Sequence, residues 1–164
     1  MPVTRPTAAE VLRAIIDLLD EAAAAENASA PAALVRIDRL PATADDEVQF
    51  SLQRLEPGQH PLAVLRGFVA PPTWAGIGVV AGGRCQSMDD PSRVGRARVI
   101  VVLARDGTMA SGLRVDGDPM VVDVAPAGAT VIGDIPLALC RALGVPVVTG
   151  PTPGLPDSPQ GDTG

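Results

Sequence analysis

The chain has 164 residues, a formal net charge of −6 and a hydrophobic fraction of 46%, and all 13 of its lysine-plus-arginine positions are arginine. With no lysine, no tyrosine and one histidine, it lacks an amine nucleophile, a P-loop lysine and a phenolic acid, which excludes the reaction classes built on them. The acidic balance and an aromatic content of 2% oppose attraction to phosphate backbones and leave no platform for stacking bases, so no nucleic-acid partner is expected.

In chain order the first signal is Thr7-x-x-Glu10, the spacing of a capping box in which the hydroxyl accepts from the Glu10 amide and the carboxylate from the Thr7 amide. The helix it opens gathers Val11, Leu12, Ile15, Ile16, Leu18 and Leu19 on an apolar face about 160° wide, with Glu10, Arg13, Asp17, Asp20 and Glu21 opposite. A face of that width suits a helix laid on a sheet, or on a second copy of the chain. The same charges break the apolar stretch, so no secretory signal is read and a cytoplasmic location is expected. The helix fades at Asn27 and Pro31 ends it.

Val35 and Ile37 then alternate with Arg36 and Asp38. After a loop at Pro41–Asp46, Val48, Phe50 and Leu52 alternate with Gln49, Ser51 and Gln53, which predicts an antiparallel pair with one wet face. Pro61 is placed to open a short helix closed by Gly67, with an extended path for Leu65–Val69 as the alternative. Ala75–Ala81 reads as a small-residue strand buried on both faces. The uncharged stretch around it is broken by Pro71-Pro72 and several glycines, so no membrane span is expected.

Val99–Leu103 is a continuous apolar run, Asp106-Gly107 is a two-residue hairpin signal, and Met109, Leu113 and Val115 return. A second turn at Asp116–Pro119 leads into Met120, Val122 and Val124. Asp134 as N-cap, with Pro136 in the first turn, opens an apolar helix over Ile135–Leu143 that Gly144 and Pro146 stop. The predicted fold is α+β: an antiparallel sheet of five or six strands, including a C-terminal three-strand meander, with the N- and C-terminal helices packed on one face. Residues 1–148 form a single domain in this reading, and the Pro/Gly-rich residues 149–164 a disordered tail.

Gly76-Ile77-Gly78-Val79-Val80-Ala81 matches the G-x-G-x-x-A dinucleotide fingerprint, but prolines precede it and glycines follow it where a strand and a helix are required. Close packing of a neighbouring strand accounts for these glycines instead. The acidic groups Asp45-Asp46-Glu47, Asp89-Asp90 and Asp116-x-Asp118 lack the spacing of a calcium loop, and Cys85 and Cys140 are too far apart for a zinc knuckle. No metal and no cofactor are expected.

Two function classes remain. The first is a non-enzymatic bacterial binding or regulatory module, taking a protein partner, a second copy of itself, or a small anionic ligand. Its candidate contacts are Trp74, beside a proline corner, and the arginines Arg84, Arg93, Arg96 and Arg98. The bacterial origin rests on the all-arginine, Ala/Gly/Pro-rich composition, which reads as G+C-rich codon bias. The alternative is a small cysteine-dependent hydrolase or transferase with Cys85 as nucleophile, His60 as base and Asp89 as orienter. Against each stands a structural role: a core plug for Trp74, edge solvation for the arginines, a space-filling thiol and a loop histidine.

Overall fold

The computed structural model describes residues 6–25, 32–40, 48–56, 58–86, 89–92, 94–115 and 118–148. The expectations placed on Asn27, Pro31, the Pro41–Asp46 loop, Arg93, Asp116 and the 149–164 tail lie outside the described residues. Helix α1 (Ala8–Ala25) starts with its capping box formed: Thr7 N donates to Glu10 Oε2 at 3.0 Å and Glu10 N to Thr7 Oγ1 at 3.2 Å. Because that hydroxyl satisfies an otherwise orphaned helix donor, Thr7→Ala should lower stability by about 1 kcal/mol. The check is urea unfolding, where the midpoint should fall at unchanged slope.

Eight further elements follow: β1 (Ala33–Arg39), β2 (Gln49–Arg54), α2 (Pro61–Arg66), β3 (Gly76–Gln86), β4 (Val94–Ala104), β5 (Met109–Val115), β6 (Val121–Ala125) and α3 (Asp134–Leu143). The strands form one sheet in the order β2-β1-β3-β4-β5-β6, and every neighbouring pair is antiparallel. The class is therefore α+β, with six strands and the expected meander β4-β5-β6. Helix α2 resolves the ambiguity at 57–73 in favour of the proline-initiated turn, closed at Gly67.

The terminal helices take opposite faces of the sheet, not one face as the sequence reading has it. Ile100, Val102 and Ala104 of β4 pack with Val11, Leu12, Ile15, Ile16 and Leu19 of α1. Val101 and Leu103 pack with Leu139, Cys140 and Leu143 of α3 and Leu65 of α2. The cause lies in β4 itself: side chains alternate across a strand, so an unbroken apolar run exposes hydrophobic surface on both faces and each needs a cover. Leu12, Ile15, Ile16 and Leu19 are at most 1% exposed, whereas Leu18 at the margin of the face keeps 47% of its exposure.

Glycines set how closely the layers approach. A Cβ on Gly78 would lie 2.7 Å from the Val101 carbonyl oxygen and from Val102 Cγ1, one on Gly76 2.6 Å from the Leu103 carbonyl oxygen, and one on Gly112 2.9 Å from Ile16 Cγ2. At these contacts even one methyl group is too many. The fingerprint glycines Gly76 and Gly78 thus serve strand packing, inside a strand with antiparallel neighbours on both sides.

The β4–β5 connection departs from the two-residue turn that Asp106-Gly107 predicts. Leu103 pairs with Met109, Ala104 N donates to the Thr108 carbonyl and Gly107 N to the Ala104 carbonyl, each at 2.9 Å. The loop is the three residues Arg105–Gly107, a turn followed by a glycine at φ +99°, which is the glycine-bulge hairpin. Asp106 Oδ1 accepts from Thr108 N at 2.8 Å. Arg105 is fixed by donating to the carbonyls of Trp74, Leu143 and Pro71 at 2.8, 3.1 and 3.0 Å. At α3, Gly133 occupies the cap position at φ +105° with no side-chain cap, so Asp134 belongs to the first turn, where its charge favours the helix dipole.

Candidate functional site

The register of the central strands gathers arginines that are scattered in sequence. Arg84 of β3 lies opposite Arg96 of β4, Gly82 opposite Arg98, and Arg98 opposite Arg114 of β5. Alternation from Ile100 and Val102 puts all four arginines on the α1 face, beyond the apolar ground that α1 covers. In the middle of the group is Gly82, where an added Cβ would meet only the Ala97 carbonyl oxygen, at 3.8 Å. The result is an exposed, side-chain-free patch of sheet with arginine on several sides.

Among the described residues, one carboxylate enters this group. Asp20 projects from α1 and is 7% exposed. Arg98 Nη1 donates to its Oδ1 at 2.9 Å. Arg114 grips the same carboxylate, with Nε 3.1 Å from both oxygens and Nη2 2.5 Å from Oδ2, and its Nη1 donates to the Asp118 carbonyl at 2.6 Å. Burial by itself would raise the Asp20 carboxyl. The hydrogen bonds and charges of Arg114 and Arg98 outweigh it and hold the group below the ordinary carboxylate range. The bond to Asp20 in turn raises Arg114. Among the described residues, two guanidinium groups here share one carboxylate. Arg96 has an interaction of its own within the chain, and Arg84 is exposed.

Of the arginine candidates from the sequence, Arg84, Arg96 and Arg98 are thus brought together, with Arg98 tied into a structural ion triad. Arg114 and Asp20 are the members that sequence reading missed. Arg114 was countable in principle, since it stands opposite Arg98 across the β4–β5 hairpin, but only once the loop length is known.

Trp74 is half-buried. Its ring meets Phe68 with centroids 5.2 Å apart, and the Arg36 guanidinium lies 5.2 Å over it, while Arg36 also pairs with Asp38. These contacts engage the ring within the chain, as a plug at the sheet margin. His60 has a structural task as well: it is the N-cap of α2, with Nδ1 accepting from Leu62 N at 3.1 Å. Cys85 falls near the far end of β3, opposite Gly95, and Asp89 in the exposed hairpin tip. The Cys85 side chain itself lies outside those described. Cys140 is buried in α3, and burial pushes its thiol up, which suits a packing role.

Among the described residues, no three His, Cys, Asp or Glu side chains converge as a metal site would require, and no helix is long and apolar enough to cross a membrane. A shallow depression of about 430 Å³ at the start of α1 is lined by Thr7, Asp106 and Thr108 among others. Thr7 is engaged there in the capping box and Asp106 Oδ1 in its turn. Comparison with known protein families, curated proteins and solved structures gives no significant match to this chain.

Proposed function

We propose that this protein is a non-catalytic bacterial binding module, working in the cytoplasm, that holds an anionic group over Gly82 on its arginine-bearing face. The group is a carboxylate of a protein partner or a small free anion. The single observation that carries this reading is the placement of Arg84, Arg96 and Arg98 around a position with no side chain and open space above it. Guanidinium groups present planar forks matched to carboxylate and phosphate oxygens, and a glycine lets such oxygens approach the sheet. The Asp20 triad supports the same end by fixing Arg98 in place. The all-arginine composition and the free, buried Cys140 support a G+C-rich bacterial origin and a reducing compartment.

The test is NMR titration at low salt with inorganic phosphate and, separately, a triglutamate peptide. Saturable shifts are expected at the Gly82 amide and the Arg84 and Arg96 side-chain Nε–H groups. They should disappear in Gly82→Val, which fills the open space, and weaken about tenfold in Arg84→Gln, the loss of one charge-assisted contact. Shifts of equal size in Gly82→Val, or none in the parent protein, would refute the reading.

A further inference from the structure

Beyond the ground that α3 and α2 cover, the same face of the sheet continues as an apolar surface. Beneath these helices Val79, Val101 and Leu103 are at most 4% exposed. Two residues further along the strands, register places Ala81, Val99, Leu113 and Val121 side by side across β3, β4, β5 and β6. Ala81 and Val99 adjoin the α3 cluster, which fixes the face, while Leu113 keeps 45% of its exposure and Val121 63%. A second row, Gly83, Ala97 and Val115, lies two residues further out on the first three of these strands. Both rows are uncharged, whereas the opposite face of the same strands carries the four arginines. Strand alternation thus sorts the outer half of the sheet into a charged side and an apolar one. Contiguous apolar ground open to solvent is the mark of an interaction surface.

The two rows differ in size in a consistent sense. On each strand the inner residue is larger than its outer neighbour: Ala81 than Gly83, Val99 than Ala97, Leu113 than Val115. A Cβ on Gly83 would meet nothing within 4 Å, so the small end of the outer row is a hollow. A two-fold axis lying across the strands, midway between the rows, sets the inner row of one copy against the outer row of the other and brings large side chains onto small ones. Stacked sheets stand about 10 Å apart, close to the width of a helix, so a second sheet placed there continues the layer that α3 begins. A chain of net charge −6 repels its own copies in general, and on this ground two copies meet with no like charges opposed.

We infer that the apolar outer half of the α3 face docks a second copy of the chain, sheet against sheet, as a two-fold dimer. Seven residues a side are fewer than the roughly 20–30 of a standard interface, so the association is weak and reversible. The docking is independent of the arginine-face reading. It adds to that reading a second arginine face turned outward on the opposite side, so that a partner with two acidic segments is held more firmly than by either contact alone.

Sedimentation of the full chain between about 10 μM and about 1 mM, where weak complexes form, should show the mass rising toward that of two chains. The methyl resonances of Leu113, Val115 and Val121 should shift over the same range. Leu113→Glu and Val115→Arg should each weaken association about tenfold or more, because each buries an unpaired charge. An equal mixture of the two variants should restore it, since the axis sets position 113 of one copy against position 115 of the other. In that mixed dimer one such contact becomes a glutamate–arginine pair and the other keeps its native Leu113 and Val115. Leu18→Glu, on the exposed margin of α1, should leave association unchanged. Circular dichroism establishes that the variants are folded. A single-chain mass at every concentration, shifts confined to other methyl groups, no rescue between the two folded variants, or loss of association in Leu18→Glu would overturn the inference.

Discussion

Gly78→Val should destabilise the protein by about 3 kcal/mol, at the upper end of what overpacking costs, whereas Gly82→Val, on the same strand, should stay within about 0.5 kcal/mol of the parent. The first substitution drives a branched side chain against the Val101 carbonyl and Val102, which a single Cβ already meets at 2.7 Å. Both neighbours belong to β4 at the centre of the sheet, so neither can retreat without disturbing the α1 core. The second enters open space at an exposed position, where a β-branched residue also favours the strand. Urea unfolding of the two variants decides it, and comparable losses in both would mean that the outer half of β3 is as tightly enclosed as the inner half. The contrast also licenses Gly82→Val as a probe of binding, since it separates a filled site from a broken fold.

Asp20→Asn should cost about 2 kcal/mol at neutral pH, because it leaves Arg98 and Arg114 facing a neutral amide in a site where both guanidinium groups are partly withdrawn from water. The figure is set below that of a fully buried pair because the Arg114 side chain keeps 30% of its exposure. The pH dependence has a definite sign. The folded-state pKa of Asp20 lies below its ordinary value of 3.8. The stabilisation is therefore complete above the unfolded-state pKa and is lost as pH falls through the folded-state value. Stability measured from pH 7 down to pH 2 should show the parent and Asp20→Asn separated by a constant gap above about pH 5 that closes at the acid end. A gap independent of pH throughout would show that shape, not charge, makes Asp20 matter.

The local elements were legible because each has a short-range cause. Thr7 and Glu10 cap α1 through groups three residues apart, Pro61 and Gly67 bracket α2, and alternation marks β1 and β2. The meander is written in two turn signals. The candidate site was legible only in part. Arg93, Arg96 and Arg98 were visible as a basic cluster and Arg84 as a separate candidate, yet nothing in their spacing reveals that Gly82 is open while Gly78 is closed, or that Asp20 arrives from α1. His60 drew attention as a possible base, and its cap on α2 follows from the next two residues once the helix is known to start at Pro61.

The sequence by itself determined the element types, the capped first helix, the meander and the lack of any lysine or tyrosine side chain, since these depend on residue identity and on neighbours a few positions away. Tertiary structure decided which face each helix covers, because β4 is apolar on both sides and its run of residues carries no preference between them. It also decided the hairpin register. A two-residue loop at Asp106-Gly107 would have set Arg98 against Val115 and sent Arg114 to the other face. The third loop residue, Arg105, held by carbonyls from Pro71, Trp74 and Leu143, keeps Arg98 and Arg114 side by side on Asp20. With a side-chain period of two, one residue of register is the difference between an assembled charge cluster and a dispersed one.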